Sequence, residues 1–161
     1  MDVRKEIVTL LQSKNLKVSS AESCTGGLIS QMITSVPGAS NVFELGVCSY
    51  SNDIKMKVLG VRKETIAEFT EVSYRCAEEM ASGVLKLSGA DIAISTTGYA
   101  GPSGGTEENP VGTVYIGLAR GDEVTSEKKN FNEDLCNNRA LICQRCAEYC
   151  LSKLCSMVKN M

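Results

Sequence analysis

A chain of 161 residues with 43% hydrophobic and 22% charged residues can bury one sizeable core, so a single domain over 1–161 is expected. A formal net charge of -2 gives no basic field for nucleic acid or an anionic membrane, and 5% aromatics without tryptophan give no base-stacking platform. The chain has no histidine, which excludes Ser-His-Asp and Cys-His catalysis and any His-ligated metal.

Residues 2–13 read as a helix with Val3, Ile7, Leu10 and Leu11 on one face. A short strand is expected over 16–21, then a strand-to-helix junction at Ser23 and a helix to about 35, stopped by Pro37 and Gly38. A second strand over 43–51 leads to a short helix capped by Asn52 or Asp53 and closed by Gly60. A further short helix is expected over 63–69. Ser73 caps a long helix to about 87, with Cys76, Ala77, Met80, Ala81, Val84 and Leu85 as its apolar stripe. Residues 91–97 form an apolar, buried-type strand, and 98–110 a glycine-rich loop. Strands over 111–119 and 123–131 make a hairpin through Gly121-Asp122, and a last helix runs from about 135 to 158. Helices between strands followed by a hairpin imply an α/β fold. The expected form is a three-layer α/β/α sandwich on a mostly parallel sheet with one antiparallel member.

No apolar run reaches the length of a membrane span, and residues 1–5 lack a signal peptide's apolar centre. A cytoplasmic protein is expected. Cys143, Cys146, Cys150 and Cys155 are spaced C-x2-C-x3-C-x4-C. In one helix the first three share a face with Leu154, the pattern of small buried hydrophobes more than of a metal site.

Ligands of such sheets sit at the carboxyl ends of strands, here Ser23, Tyr50 and Gly98. The first of these ends lies in the run Ala-Glu-Ser-Cys-Thr-Gly-Gly at 21–27. A nucleophile there would stand beside backbone N–H groups left free at a helix start, near Thr25, Gly26 and Gly27, which suit an oxyanion. Without histidine, Ser23 needs another base. A partly buried Lys55 with a lowered pKa can serve, and Tyr50 can relay or donate a proton. Cys24 is an alternative nucleophile, and packing beneath the helix is its plainer role. The loop Thr-Thr-Gly-Tyr-Ala-Gly-Pro-Ser-Gly-Gly at 96–105 offers backbone N–H groups for a phosphate nest, but matches neither a P-loop nor a dinucleotide fingerprint.

These blocks resemble the CinA C-terminal domain family, whose stand-alone members include nicotinamide mononucleotide deamidases. The match is carried by Ala-Glu-Ser-Cys-Thr-Gly-Gly at 21–27, Tyr-Ser-Asn-Asp-Ile-Lys at 50–55, Leu-Gly-Val at 59–61, and Thr-Gly-Tyr-Ala-Gly-Pro-Ser-Gly-Gly-Thr at 97–106, continued by Pro-Val-Gly-Thr-Val-Tyr at 110–115. The resemblance implies a sandwich of the anticodon-binding-domain-like type with a mixed five-stranded sheet. It implies hydrolysis of the carboxamide of nicotinamide mononucleotide by Ser23, Tyr50 and Lys55, with neither metal nor organic cofactor. Thr25, Gly26, Gly27, Thr97, Gly98, Ala100, Gly101, Gly104, Gly105 and Arg139 are the expected substrate contacts. The chain departs from the family over 131–139, where Arg139 stands in for one arginine and Cys143 occupies the place of a second. A nucleotide-binding module that keeps the pocket without turnover is the alternative. The expected partner is a small nucleotide, with no nucleic acid and no membrane; homo-oligomerisation stays open.

Overall fold

A computed structural model describes residues 2–161. The elements run α1 (Val3–Ser13), β1 (Val18–Glu22), α2 (Leu28–Thr34), β2 (Phe43–Cys48), α3 (Asn52–Leu59), α4 (Lys63–Phe69), α5 (Tyr74–Ser88), β3 (Ile92–Gly98), β4 (Thr113–Arg120), β5 (Glu123–Asn130) and α6 (Arg139–Lys159). The five strands form one mixed sheet in the order β2-β1-β3-β4-β5. β1 is parallel to β2 and to β3, β4 is antiparallel to β3, and β5 is antiparallel to β4. Only β4 therefore runs against the rest, as the strand-helix alternation and the final hairpin predict.

The period of two along each strand sorts side chains onto two faces. Val18, Ile92, Ile94, Val114, Ile116 and Leu118 turn to one face and pack with Ile7 and Leu11 of α1, Ile29 and Ile33 of α2, and Ile142, Cys146, Cys150, Leu151 and Leu154 of α6. Ala21, Ala93 and Ala119 turn to the other and meet Cys76, Met80, Ala81 and Val84 of α5, with Leu59 from the end of α3. The three layers follow. The α6 cysteines at 146, 150 and 155 are buried core side chains and all are free thiols. Among the described residues no helix is long and apolar enough to cross a membrane.

Small side chains let α5 lie close on the sheet. A Cβ at Gly117 would come within 2.3 Å of the Ala77 carbonyl oxygen, and one at Gly83 within 1.9 Å of the Leu59 carbonyl oxygen. The second contact seats the C-terminal end of α3 against α5, and α3 carries Lys55.

Several boundaries differ from the sequence reading for local reasons. β1 begins at Val18 and continues to Glu22, and β2 stops at Cys48. The helix after Ser23 begins only at Leu28, because Gly26 and Gly27 both adopt positive φ in the intervening turn. The cap of α3 is Ser51, whose side chain accepts the Ile54 N–H, not Asn52 or Asp53. The last helix starts at Arg139, not near 135. Leu135 and Asn137 are left-handed, and Asn138 accepts the Leu141 N–H as the cap. A 3-10 turn at Ala39–Asn41 was not anticipated.

Gly83→Ala is expected to lower stability by about 1–3 kcal/mol, since neither the α3 backbone nor the helix can yield without cost. Urea unfolding measures this, and an unchanged midpoint would show that α3 does not rest on α5 as described.

Candidate active site

Glu22 closes β1 with its side chain fully buried. The carboxylate accepts the N–H groups of Gly27 (3.0 Å), Ile29 (3.1 Å) and Ser30 (2.9 Å) and the hydroxyls of Thr25 (2.7 Å) and Ser30 (2.8 Å). The Ser20 hydroxyl adds a longer contact of 3.4 Å. The donors at the start of α2 are thus already occupied by a carboxylate from the chain itself. This corrects the expectation that N–H groups as far as Gly27 await an oxyanion. The Gly26 N–H is also engaged, on the Ser23 carbonyl. Among the described residues, the N–H groups of Cys24 and Thr25 donate to no protein acceptor.

One residue further on, Ser23 is pinned by its own N–H to the Thr96 carbonyl of β3 at 2.9 Å. Its Oγ receives a hydrogen bond from Lys55 Nζ at 3.1 Å. The same Nζ donates to the Ser49 carbonyl at 3.0 Å. Lys55 is 1% exposed, and neither of these partners carries a charge. Burial therefore pushes its pKa below the ordinary lysine value of 10.5, only partly opposed by the thiol of Cys76 and the carboxylate of Glu71.

Ser23 and Lys55 lie in a cleft of about 240 Å³ at the carboxyl ends of β1 and β3. Its lining includes Tyr50, Thr97, Gly98, Ala100, Gly101 and Arg139. Arg139, first residue of α6, reaches over the mouth. Its guanidinium donates to the Gly101 carbonyl at 2.8 Å and to the Tyr50 hydroxyl oxygen. Tyr50 is 62% exposed, so its ring forms the rim and its hydroxyl is held by the arginine.

Other expected contacts lie elsewhere. Thr25 turns into the buried network, bonded to Glu22 and to Thr96 Oγ1 at 2.8 Å. Gly26, Gly27, Gly104 and Gly105 are outside the cleft lining. The last two belong to a self-bonded loop, where Gly112 N–H reaches the Tyr99 carbonyl and Thr106 N–H the Asn109 carbonyl. Cys24 touches the cleft but is largely buried, and burial raises its thiol pKa well above the usual 9.0. Cys143 is not among the cleft-lining residues and donates to the Cys24 carbonyl at 3.2 Å.

Sequence reading missed Glu71, Val72, Tyr99 and Asn52 on the cleft wall, and Glu22 beneath it. Glu22 carried a signal: an acidic residue at the end of a strand that enters a glycine turn. Glu71 carried none, because only the tertiary fold brings the α4–α5 loop to the end of β3.

Fold and site together define an α/β/α protein with a serine and a buried lysine at the strand ends. The match to the CinA C-terminal domain covers residues 1–157, and the chain belongs to that family. It is 58% identical over 128 residues to a protein of Caldicellulosiruptor saccharolyticus carrying the name competence-damage inducible protein, covering 80% of this chain and 31% of that one. A CinA-like protein of Thermotoga maritima is 45% identical over 154 residues, covering 96% of this chain and 36% of its own length. The chain thus spans about a third of these curated relatives. Among solved structures, a CinA superfamily protein of Klebsiella pneumoniae superposes with a TM-score of 0.92 at 29% identity, covering 99% and 97% of the two chains. A competence/damage inducible protein of Agrobacterium tumefaciens gives 0.90 at 35% identity, over 97% and 95%.

Glu22→Gln should unfold at clearly lower denaturant, at a cost of about 2 kcal/mol or more. One oxygen becomes an NH2 facing backbone N–H groups that have no other acceptor. Stability equal to the parent would show that the carboxylate does not hold the turn.

Proposed function

We propose that the protein hydrolyses the carboxamide of nicotinamide mononucleotide to nicotinate mononucleotide and ammonia. The observation that carries this is the approach of Lys55 Nζ to Ser23 Oγ within a site that buries the amine without an anionic partner. A neutral amine there has a lone pair for the serine proton while one N–H stays on the Ser49 carbonyl.

In this mechanism Ser23 Oγ attacks the carboxamide carbon as its proton passes to Lys55 Nζ. The carbonyl oxygen takes the negative charge beside the unengaged N–H of Cys24, a residue of the cleft lining. The carbon–nitrogen bond breaks as the nitrogen gains a proton from the Lys55 ammonium, directly or through Tyr50. Tyr50 suits that relay, because Arg139 donates to its oxygen and leaves the hydroxyl proton free. Ammonia departs, water attacks the acyl-serine as Lys55 takes its proton, the ester bond to Oγ breaks as Lys55 returns that proton to Ser23, and the carboxylate product leaves. In this reading Arg139 at the mouth, with the Gly98–Gly101 backbone, holds the phosphate.

Purified protein should release ammonia from nicotinamide mononucleotide with EDTA present. Ser23→Ala and Lys55→Met should each lower kcat by orders of magnitude, and the double variant should be hardly worse than either. Lys55→Met should also keep or raise the thermal midpoint, since it removes a buried amine without removing volume. Cys24→Ala should retain most of the activity. A Cys24→Ala variant that is dead while Ser23→Ala works would move the nucleophile to the thiol. Absence of ammonia release with retained nucleotide binding would leave a binding module.

The base must be neutral, so kcat/KM should rise with pH through the pKa of Lys55. The midpoint of that limb is expected below 10.5, the direction set by burial. A limb at or above the ordinary lysine value would contradict the role. Arg139→Ala should reduce kcat/KM for the mononucleotide more than for the dephosphorylated riboside. Equal losses would remove the arginine from phosphate binding.

A further inference from the structure

Three charged side chains face the cleft: Lys55 at its floor, Arg139 at its mouth and Glu71 on its wall. They do not neutralise one another in pairs. Among the described residues Glu71 forms no salt bridge. Arg139 is engaged with a carbonyl and a phenol. Glu71 and Arg139 also come from opposite layers. Glu71 sits on the loop between α4 and α5, on the sheet face that α5 covers. Arg139 opens α6, which packs on the other face.

The Glu71 segment is fixed rather than loosely draped. Thr97 Oγ1, itself a cleft residue, donates to the Glu71 carbonyl at 2.6 Å, and the neighbouring Val72 is buried at 3% exposure. The carboxylate lies near enough for its charge to act on Lys55 and on the Tyr99 phenol, both on the cleft lining. A half-buried carboxylate outside every salt bridge among the described residues, on a cleft lining that it shares with the Tyr99 ring, is a receptor for a flat cation.

We propose that Glu71, with Tyr99 beside it, is the specificity-determining group that selects an N-quaternised, positively charged pyridine ring, so that the cleft takes a zwitterion. Glu71 faces the ring cation on one wall while Arg139 faces the phosphate on the other. This rests on the amidohydrolase reading and names which form of the ring the site accepts. Nicotinamide mononucleotide has both charges. Its 1,4-dihydro form keeps the carboxamide, ribose and phosphate but has a neutral ring, and so isolates the Glu71 contribution.

The test is binding, measured by calorimetry in a Ser23→Ala background so that turnover plays no part. Nicotinamide mononucleotide should bind at least tenfold more tightly than its dihydro form. Adding Glu71→Gln should weaken the oxidised mononucleotide about tenfold, the loss of one charge-charge contact, and leave the dihydro form within about twofold. Tyr99→Leu should act in the same direction and more weakly. Equal weakening of both ligands by Glu71→Gln, or no weakening of either, overturns the assignment while the hydrolase reading stands on ammonia release by the parent protein. If the parent releases no ammonia and Ser23→Ala binds neither ligand, the hydrolase reading falls, and this proposal with it.

Discussion

The site depends on the buried carboxylate of Glu22. A strand that ends at a helix start leaves N–H groups aimed outward, and a protein can leave that positive end to a ligand or occupy it itself. Here the chain occupies it: three backbone N–H groups and two hydroxyls converge on one side chain within 3.1 Å. Desolvating a carboxylate is costly, and charge-assisted hydrogen bonds from fixed donors offset that cost. What is gained is geometric. The Gly26-Gly27 turn, with both residues at positive φ, is tied at both ends, to Glu22 and to the Thr96 carbonyl through Ser23 N–H. Ser23 therefore projects from a rigid backbone rather than from a loop.

The lysine is placed by a different route. Ser51 caps α3, and Gly60 ends it in a left-handed conformation. Gly83 admits the end of α3 to the surface of α5. Each of these fixes the helix that carries Lys55, and the amine arrives beneath Ser23 with only neutral oxygens to bond. Burial without an anion is unfavourable for folding and favourable for a base, a common opposition at catalytic positions. Glu22 and Lys55 thus differ: the buried carboxylate is met by five short hydrogen bonds, and the buried amine by two neutral oxygens.

Much of this was legible in the chain. The alternation of strands and amphipathic helices, the Gly121-Asp122 hairpin and the Ser73 cap gave the layers and the single reversed strand. Ser23, Tyr50 and Lys55 could be placed near one another because each follows or closes a strand on the same edge of the sheet. Residues whose role comes from long-range contact were not legible. Thr25 has the composition of an oxyanion loop, yet it turns inward because Glu22 and Thr96 together offer it two buried partners. Gly104 and Gly105 look like a phosphate nest, but the fold leaves both outside the cleft lining. The start of α6 was misplaced because left-handed Leu135 and Asn137 interrupt a stretch whose side chains alone permit a helix.

The central claim is that Lys55 activates Ser23 in the folded protein, and a serine-directed fluorophosphonate tests it without reference to any substrate. Labelling is followed by mass spectrometry across a pH series, in the parent and in Lys55→Met. The account predicts one adduct, on the peptide containing Ser23, formed at a rate that rises with pH through a midpoint below 10.5 and nearly vanishes in Lys55→Met. An adduct elsewhere, or labelling of Ser23 at the same rate without the lysine, would contradict it.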